Sequence, residues 1–375
     1  MVNTMSAAPV FHVITGLDVG GAETMLAALA EAEAAVGAAP VIVSLTSGGA
    51  LVGRLTEAGV PVFELGMKSG RPGLVGVFRL TRLMREYRPA VVVGWMYHAN
   101  LVATMALSAS GRHRETAHFW GIRCSDMDLS AYGWLFRLVV KASARLSWLP
   151  DAVIYNSHAG IAAHQQLGFL PRRSLLIENG IDTNRFKPDS RARETVRAAL
   201  GIDVDATVLA VTARVDPMKD YGTLLSALEY APGVTAVLVG EGTESQLPDT
   251  PGIIRLGRRD DVPNILSAAD MIVSSSAYGE GFSNAVAEGM ACGLPAIATD
   301  VGDVRRIVGN TGIVVPPRDA AALGKAIKLM CEVENRVECG QAARQRIVEN
   351  FSLDRSVARF RQLYEDGLKN EIPGS

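Results

Sequence analysis

The chain has 375 residues, 48% hydrophobic and 20% charged, with a net charge of −2. That length favours two domains over one, and the near-neutral charge without a basic tail excludes a general nucleic-acid binder. No apolar run is long enough to span a membrane, the start MVNTMSAAP lacks the pattern of a signal peptide, and Cys124, Cys292, Cys331 and Cys339 form no CxxC pair, which fits a cytoplasmic protein with free thiols.

The first elements read as a Rossmann-like opening: an apolar strand at 10–15, a glycine loop at 16–21 ending in Gly20-Gly21, and a helix from 22 to about 35. The loop is not a GxGxxG, so it gives little support to a dinucleotide site. Strands at 40–45 and 60–64 and helices near 50–58 and 73–87 continue the alternation. A buried strand at 90–95 runs into Met96-Tyr97-His98, which starts another helix. Ligands of parallel sheets bind at the carboxyl ends of strands, so His98 is a candidate site residue. A strand at 116–119 and a polar loop at 121–128 follow. The next helix, 132–149, carries Trp134, Phe136, Arg137, Lys141, Arg145 and Trp148. A basic amphipathic helix of this kind fits an anionic membrane surface, and it equally fits a packed helix with a solvated face. Then come a strand at 152–155, the cap Asn156-Ser157, a helix to about 167 and a strand at 174–177. Asp126-Met-Asp128 and Asp203-Val-Asp205 match a bare DxD, but neither follows a strand in the setting that holds a metal.

The second half opens with a strand at 207–212. Arg214 and Lys219 come after it and before a helix from 221 to about 230, where a phosphate would bind and two cations would neutralise it. Strands at 234–239 and 253–256 lead into Gly240-Glu-Gly242 and Gly257-Arg258. The strand at 270–276 precedes Glu280-Gly-Phe-Ser-Asn-Ala-Val-Ala-Glu288, a polar loop running into a helix at 284–292. A helix N-terminus presents unpaired N–H groups to a phosphate. Gly281 permits close backbone approach, with Phe282 beside it, and Ser283 and Asn284 sit at the capping position. Glu280 and Glu288 would repel phosphate and instead suit hydroxyl groups. A phosphate flanked by hydroxylated rings describes a nucleotide sugar; an ordinary capped βα turn with solvated glutamates fits the same spacing. A strand at 295–299, the segment 312–317 and helices near 319–332 and 335–350 follow, and a terminal helix runs to about 368.

The Glu280–Glu288 stretch resembles the paired-glutamate motif of retaining GT-B-fold glycosyltransferases, family 4 (group 1) in particular, and the likeness extends over nearly the whole chain. The resemblance implies an α/β architecture of two Rossmann-like domains facing across a deep cleft: 1–177 for the acceptor, 178–350 for the nucleotide sugar, and 351–375 as a helix returning to the first domain, with Asn179-Gly-Ile-Asp182 in the linker. The halves would hinge closed on substrate. It implies catalytic roles for Glu280, His98, Arg214 and Lys219. Gly20, Gly21, Arg258, Gly281, Phe282, Ser283, Asn284 and Glu288 would bind the donor, with Arg258 beside the base and Glu288 on the ribose. The expected reaction is transfer of a hexosyl or N-acetylhexosaminyl group, UDP-sugar favoured, to a glycan or lipid-linked acceptor, with no metal or cofactor and no nucleic acid. A cytoplasmic enzyme touching the inner membrane face through 132–149 would suit lipid-linked acceptors. Two alternatives stay open: a nucleotide-sugar epimerase of the same fold, which needs more acid/base groups than six histidines suggest, and a nicotinamide-dependent dehydrogenase, which needs the missing GxGxxG.

Overall fold

A computed structural model describes residues 8–18, 20–67, 74–125, 129 and 132–369, with the side chains of 333 and 335 excepted. The chain divides into two compact units. One is Met1–Gly180 with Leu353–Ser375; the other is Ile181–Ser352.

In the first unit the elements are β1 (Val10–Ile14), α1 (Gly21–Ala35), β2 (Pro40–Ser44), α2 (Leu51–Glu57), β3 (Val62–Glu64), α3 (Leu74–Tyr87), β4 (Val91–Trp95), α4 (Met96–Ser110), β5 (Ala117–Ile122), α5 (Trp134–Leu146), β6 (Ala152–Tyr155), α6 (His158–Gln166) and β7 (Ser174–Leu176). Among the described residues the strands form one parallel sheet in the order β3-β2-β1-β4-β5-β6-β7. Runs such as VFHVI and VVVGW are buried throughout because helices cover both faces of a parallel sheet.

The second unit contains α7 (Ser190–Leu200), β8 (Val208–Thr212), α8 (Tyr221–Leu228), β9 (Thr235–Val239), α9 (Thr243–Gln246), β10 (Ile253–Arg255), α10 (Val262–Ala268), β11 (Met271–Ser274), α11 (Asn284–Ala291), β12 (Ala296–Thr299), α12 (Val304–Val308), β13 (Gly312–Val315), α13 (Ala320–Met330) and α14 (Val333–Asn350). Its parallel sheet runs β10-β9-β8-β11-β12-β13. The last helix, α15 (Leu353–Lys369), belongs to the first unit. Val357, Phe360, Leu363 and Tyr364 lie on one stripe of it and join the core formed by Leu26, Trp95 and Phe119.

Both sheets have a topological switch point, where the strand order reverses: between β1 and β4, and between β8 and β11. Ligands of such sheets bind beyond the carboxyl ends of the strands at that point. Several expected boundaries move. The 132–149 helix spans only Trp134–Leu146, and the 284–292 helix stops at Ala291. Four helices, α7, α9, α10 and α12, stand where the sequence reading placed none.

Candidate active site

In the second unit most of the candidate residues occupy the two segments that follow β8 and β11 at the switch point, including the start of α11; Arg258 lies apart from them. The segment after β8 is rigidly built. The Asp216 carboxylate accepts from the Met218 amide at 2.9 Å and from Arg214 Nη2 at 3.1 Å. Burial would raise the Asp216 pKa, but the Met218 amide and the Arg214 guanidinium outweigh it and hold the carboxyl below its ordinary range. Asp220 sits in the left-handed region at φ 45° and caps α8 by accepting from the Thr223 amide at 3.1 Å. Between these two caps a single 3₁₀ turn, Pro217–Lys219, fixes Lys219.

Lys219 Nζ forms an ion pair with Glu280 Oε1. The Ser276 hydroxyl donates to the same carboxylate oxygen at 2.7 Å. The loops are also joined through their backbones, because Ser275 Oγ donates to the Lys219 carbonyl and the Ala277 amide to the Met218 carbonyl, each at 2.8 Å. Glu280 is only 7% exposed, so its charge is compensated in place by Lys219 and Ser276. Gly302, at φ 63°, packs directly on the Glu280 and Gly281 carbonyls, where a side chain would collide. The Asp303 amide donates to the Gly281 carbonyl at 3.0 Å, so the turn after β12 buttresses the loop.

Beyond Glu280, Phe282 is buried with its ring 5.5 Å from Phe351. Ser283 occupies the N-cap of α11 as expected, but its side chain makes no capping hydrogen bond. Asn284 begins the helix and is half-buried. Glu288, in the second turn, is half-buried too. Burial pushes its carboxyl up to about 7, against the pull of Arg185. Cys292, one turn on, is raised to about 12 by burial and by Glu288. Arg258 is exposed and follows β10, two strands from β8. Its turn is tied to the Gly240 turn, since the Gly240 amide donates to the Gly257 carbonyl at 2.7 Å.

In the first unit Gly20 is the N-cap of α1 and Gly21 its first residue, after β1. His98 lies in the first turn of α4, after β4. The imidazole is half-buried, 5.8 Å from the Phe136 ring, and burial lowers its pKa. These residues too sit at their sheet's switch point.

The sequence reading missed Ser275, Ser276, Asp216 and Gly302. A hydroxyl four residues before Glu280, at the carboxyl end of a strand, was the available signal for Ser276. The pair Asp126–Asp128 lies outside the described residues. Asp203 accepts from the Asp205 amide at 2.9 Å in a turn that precedes β8, at the strand end away from the switch-point loops. Among the described residues no cluster of His, Cys, Asp or Glu is arranged to hold a metal.

Solved glycosyltransferases share this fold. HepE from Anabaena, solved in complex with UDP and glucose, aligns over 96% of this chain and 100% of its own with a TM-score of 0.82 at 21% identity. A glycosyltransferase from Rickettsia africae aligns at 0.81 and 19% identity, over 97% and 99% of the two chains. The sucrose-phosphate synthase of Thermosynechococcus elongatus aligns at 0.80 and 20%, over 96% and 99%. With two parallel Rossmann-like sheets of this order, the protein has the GT-B glycosyltransferase fold. The sequence model for Glycosyltransferase Family 4 matches residues 19–185, and that for Glycosyl transferases group 1 matches 206–332. The two together span most of the chain, which therefore belongs to glycosyltransferase family 4 (group 1). D-inositol 3-phosphate glycosyltransferases of Mycobacterium tuberculosis and Mycobacterium bovis are 30% identical over 46% of this chain and 40% of theirs. The chain thus matches less than half the length of these curated relatives.

Proposed function

We propose that the protein is a retaining, metal-independent glycosyltransferase that takes a hexosyl or N-acetylhexosaminyl group from a nucleotide sugar, UDP-linked by preference, to a hydroxyl of a glycan or lipid-linked acceptor. The observation that carries this reading is the Lys219–Glu280–Ser276 cluster, set at the switch point beside the amino end of α11. A cation held by a buried carboxylate is pre-oriented, and it can move onto a diphosphate without an entropic penalty for ordering a long side chain. Arg214, tethered by Asp216, would supply the second positive charge. Both then stabilise the charge that builds on the leaving diphosphate, work that a metal ion does in other architectures.

In this reading the Gly281–Ser283 amides and Glu280 hold the donor sugar and Glu288 holds the ribose. Arg258 borders the base and Gly20-Gly21 faces the diphosphate. The acceptor approaches His98. The leaving phosphate takes the acceptor proton on the face where the new bond forms, which gives retention without a protein nucleophile. The UDP and glucose bound by HepE favour a uridine donor. Cell-surface polysaccharide or glycolipid synthesis on the cytoplasmic side suits such a reaction. For a lipid-linked acceptor, α5 and the turn after it supply a surface: Trp134, Leu135 and Leu138 of the helix and Trp148 beyond its end are exposed, as are Arg137, Lys141 and Arg145. No helix among the described residues is long and apolar enough to cross a membrane.

The deciding experiment is a thermal-shift screen of UDP-, GDP- and ADP-sugars without added metal, run beside Glu288→Ala. One nucleotide class should raise the wild-type melting temperature, and the variant should lose that rise. A rise retained in the variant would remove Glu288 from the site, and no rise with any class would overturn the donor reading.

A further inference from the structure

The junction between β4 and α4 is strained. Met96, at the head of the helix, has φ 69°, a left-handed conformation that L residues other than glycine rarely adopt. Such a backbone persists only where neighbouring contacts over-determine it. Here the neighbouring contacts converge on the next residue. Tyr97 is 1% exposed, and its hydroxyl oxygen lies 2.7 Å from Nε2 of His164, a fully buried residue of α6. His164 Nδ1 lies 2.7 Å from the Gly160 carbonyl oxygen. A carbonyl can only accept, so Nδ1 carries the proton and Nε2 of the neutral ring accepts from the Tyr97 hydroxyl. Cys124 Sγ, just beyond β5, stands 3.4 Å from the same hydroxyl oxygen and can donate to it.

Tyr97 is thereby fastened to two separate parts of the first unit. Its neighbour in the same helical turn is His98, and the Phe136 ring lies 5.8 Å from both of their rings. Whatever fixes Tyr97 also fixes the direction in which His98 leaves the helix.

We infer that Tyr97 and His164 are positioning residues, whose hydrogen bond holds the first turn of α4 so that His98 meets the substrate in one orientation. This rests on the reading of His98 as the residue beside the acceptor.

Tyr97→Phe removes only the hydroxyl. In the full-length protein, side-chain NMR should show the His98 ring resonances displaced by this substitution, with no substrate needed. With the donor that the thermal-shift screen identifies, kcat should fall about 10- to 100-fold, the scale of a misplaced reacting group, while the donor KM stays within about twofold. Tyr97→Phe should add little to His98→Ala, because residues that act as a unit are non-additive. His164→Gln, which keeps an acceptor oxygen near the tyrosine, should retain more activity than His164→Ala, and it carries the test if Tyr97→Phe does not fold. Unmoved His98 resonances, or kinetic effects of Tyr97→Phe and His98→Ala that simply multiply, would overturn the inference. A His98→Ala variant of full activity would also overturn it, by removing the role of His98 itself. A wild-type protein that binds no sugar nucleotide would instead strike at the donor reading and leave the NMR result standing.

Discussion

At Glu288 burial and the nearby Arg185 pull one carboxyl group in opposite directions. Its ordinary value of 4.5 rises to about 7 in the folded protein. The folded state therefore holds the proton more tightly than the unfolded chain does. The stability this confers is fully present below pH 4.5 and is lost as the pH rises through about 7. The shift corresponds to about 3 kcal/mol over that window. Glu288→Gln cannot titrate, so its stability relative to wild type should grow between those pH values and level off above them. Urea denaturation at a series of pH values checks this, and a constant difference would show that the carboxyl titrates normally. If Glu288 holds the donor ribose as proposed, binding selects its ionised form, and nucleotide affinity in the wild type should weaken as the pH falls below about 7.

Single helices divide by how openly they declare their role. In α5 Trp134 and the basic Arg137, Lys141 and Arg145 recur at helical spacing, and with them the sequence already marks the face that the structure leaves exposed, whereas Phe136 turns to the Tyr97 and His98 rings. If that face docks on lipid, the protein should float with vesicles containing phosphatidylglycerol and stay behind with neutral phosphatidylcholine vesicles. Trp134→Glu should abolish flotation while leaving the nucleotide-induced thermal shift intact; flotation unchanged by the substitution would remove α5 as the docking element. The loop leading into α11 was equally legible, because Glu280, Gly281 and Glu288 bring their chemistry in one continuous stretch. By contrast, α7 was not legible. Its Arg197 is buried and donates to the carbonyls of Ala268, Asp203, Val204 and Ala206 and to Asp270, a core task that a hydrophobic pattern assigns to no arginine. The Tyr97–His164 bond escaped for a related reason. Its partners lie 67 residues apart, and only the fold brings them within reach. Ser276 and Lys219, whose hydrogen-bonded partner is the Glu280 carboxylate, show the limit from the other side: each residue type was visible, but the pairing was not.

At the scale of the whole chain, the two units differ in how they are cut from the sequence. The second is a continuous segment, Ile181–Ser352, inserted into a first unit whose parts lie on either side of it. The ends of the insert meet, since the Ile181 amide donates to the Phe351 carbonyl at 2.8 Å and Ile181 bridges to Ser352. A segment whose termini are adjacent and whose core is its own can fold alone. Residues 181–352, expressed separately, should therefore unfold in one cooperative transition in urea, and should keep the nucleotide-induced thermal shift if the donor is held by this unit. Residues 1–180 should behave differently. Without α15 they lack Val357, Phe360, Leu363 and Tyr364, which fill the core beside Trp95 and Phe119. Losing one buried aromatic side chain typically costs about 3–5 kcal/mol, and a domain has only about 5–15 kcal/mol to lose. The 1–180 fragment should accordingly fail to unfold cooperatively, and rejoining residues 353–375 through a short flexible linker should restore the transition. A cooperative 1–180 fragment would mean that α15 is a surface addition to a complete core. A disordered 181–352 fragment would mean that the insert takes its stability from the unit that surrounds it in sequence, and nucleotide binding would then have to be sought in the full chain alone.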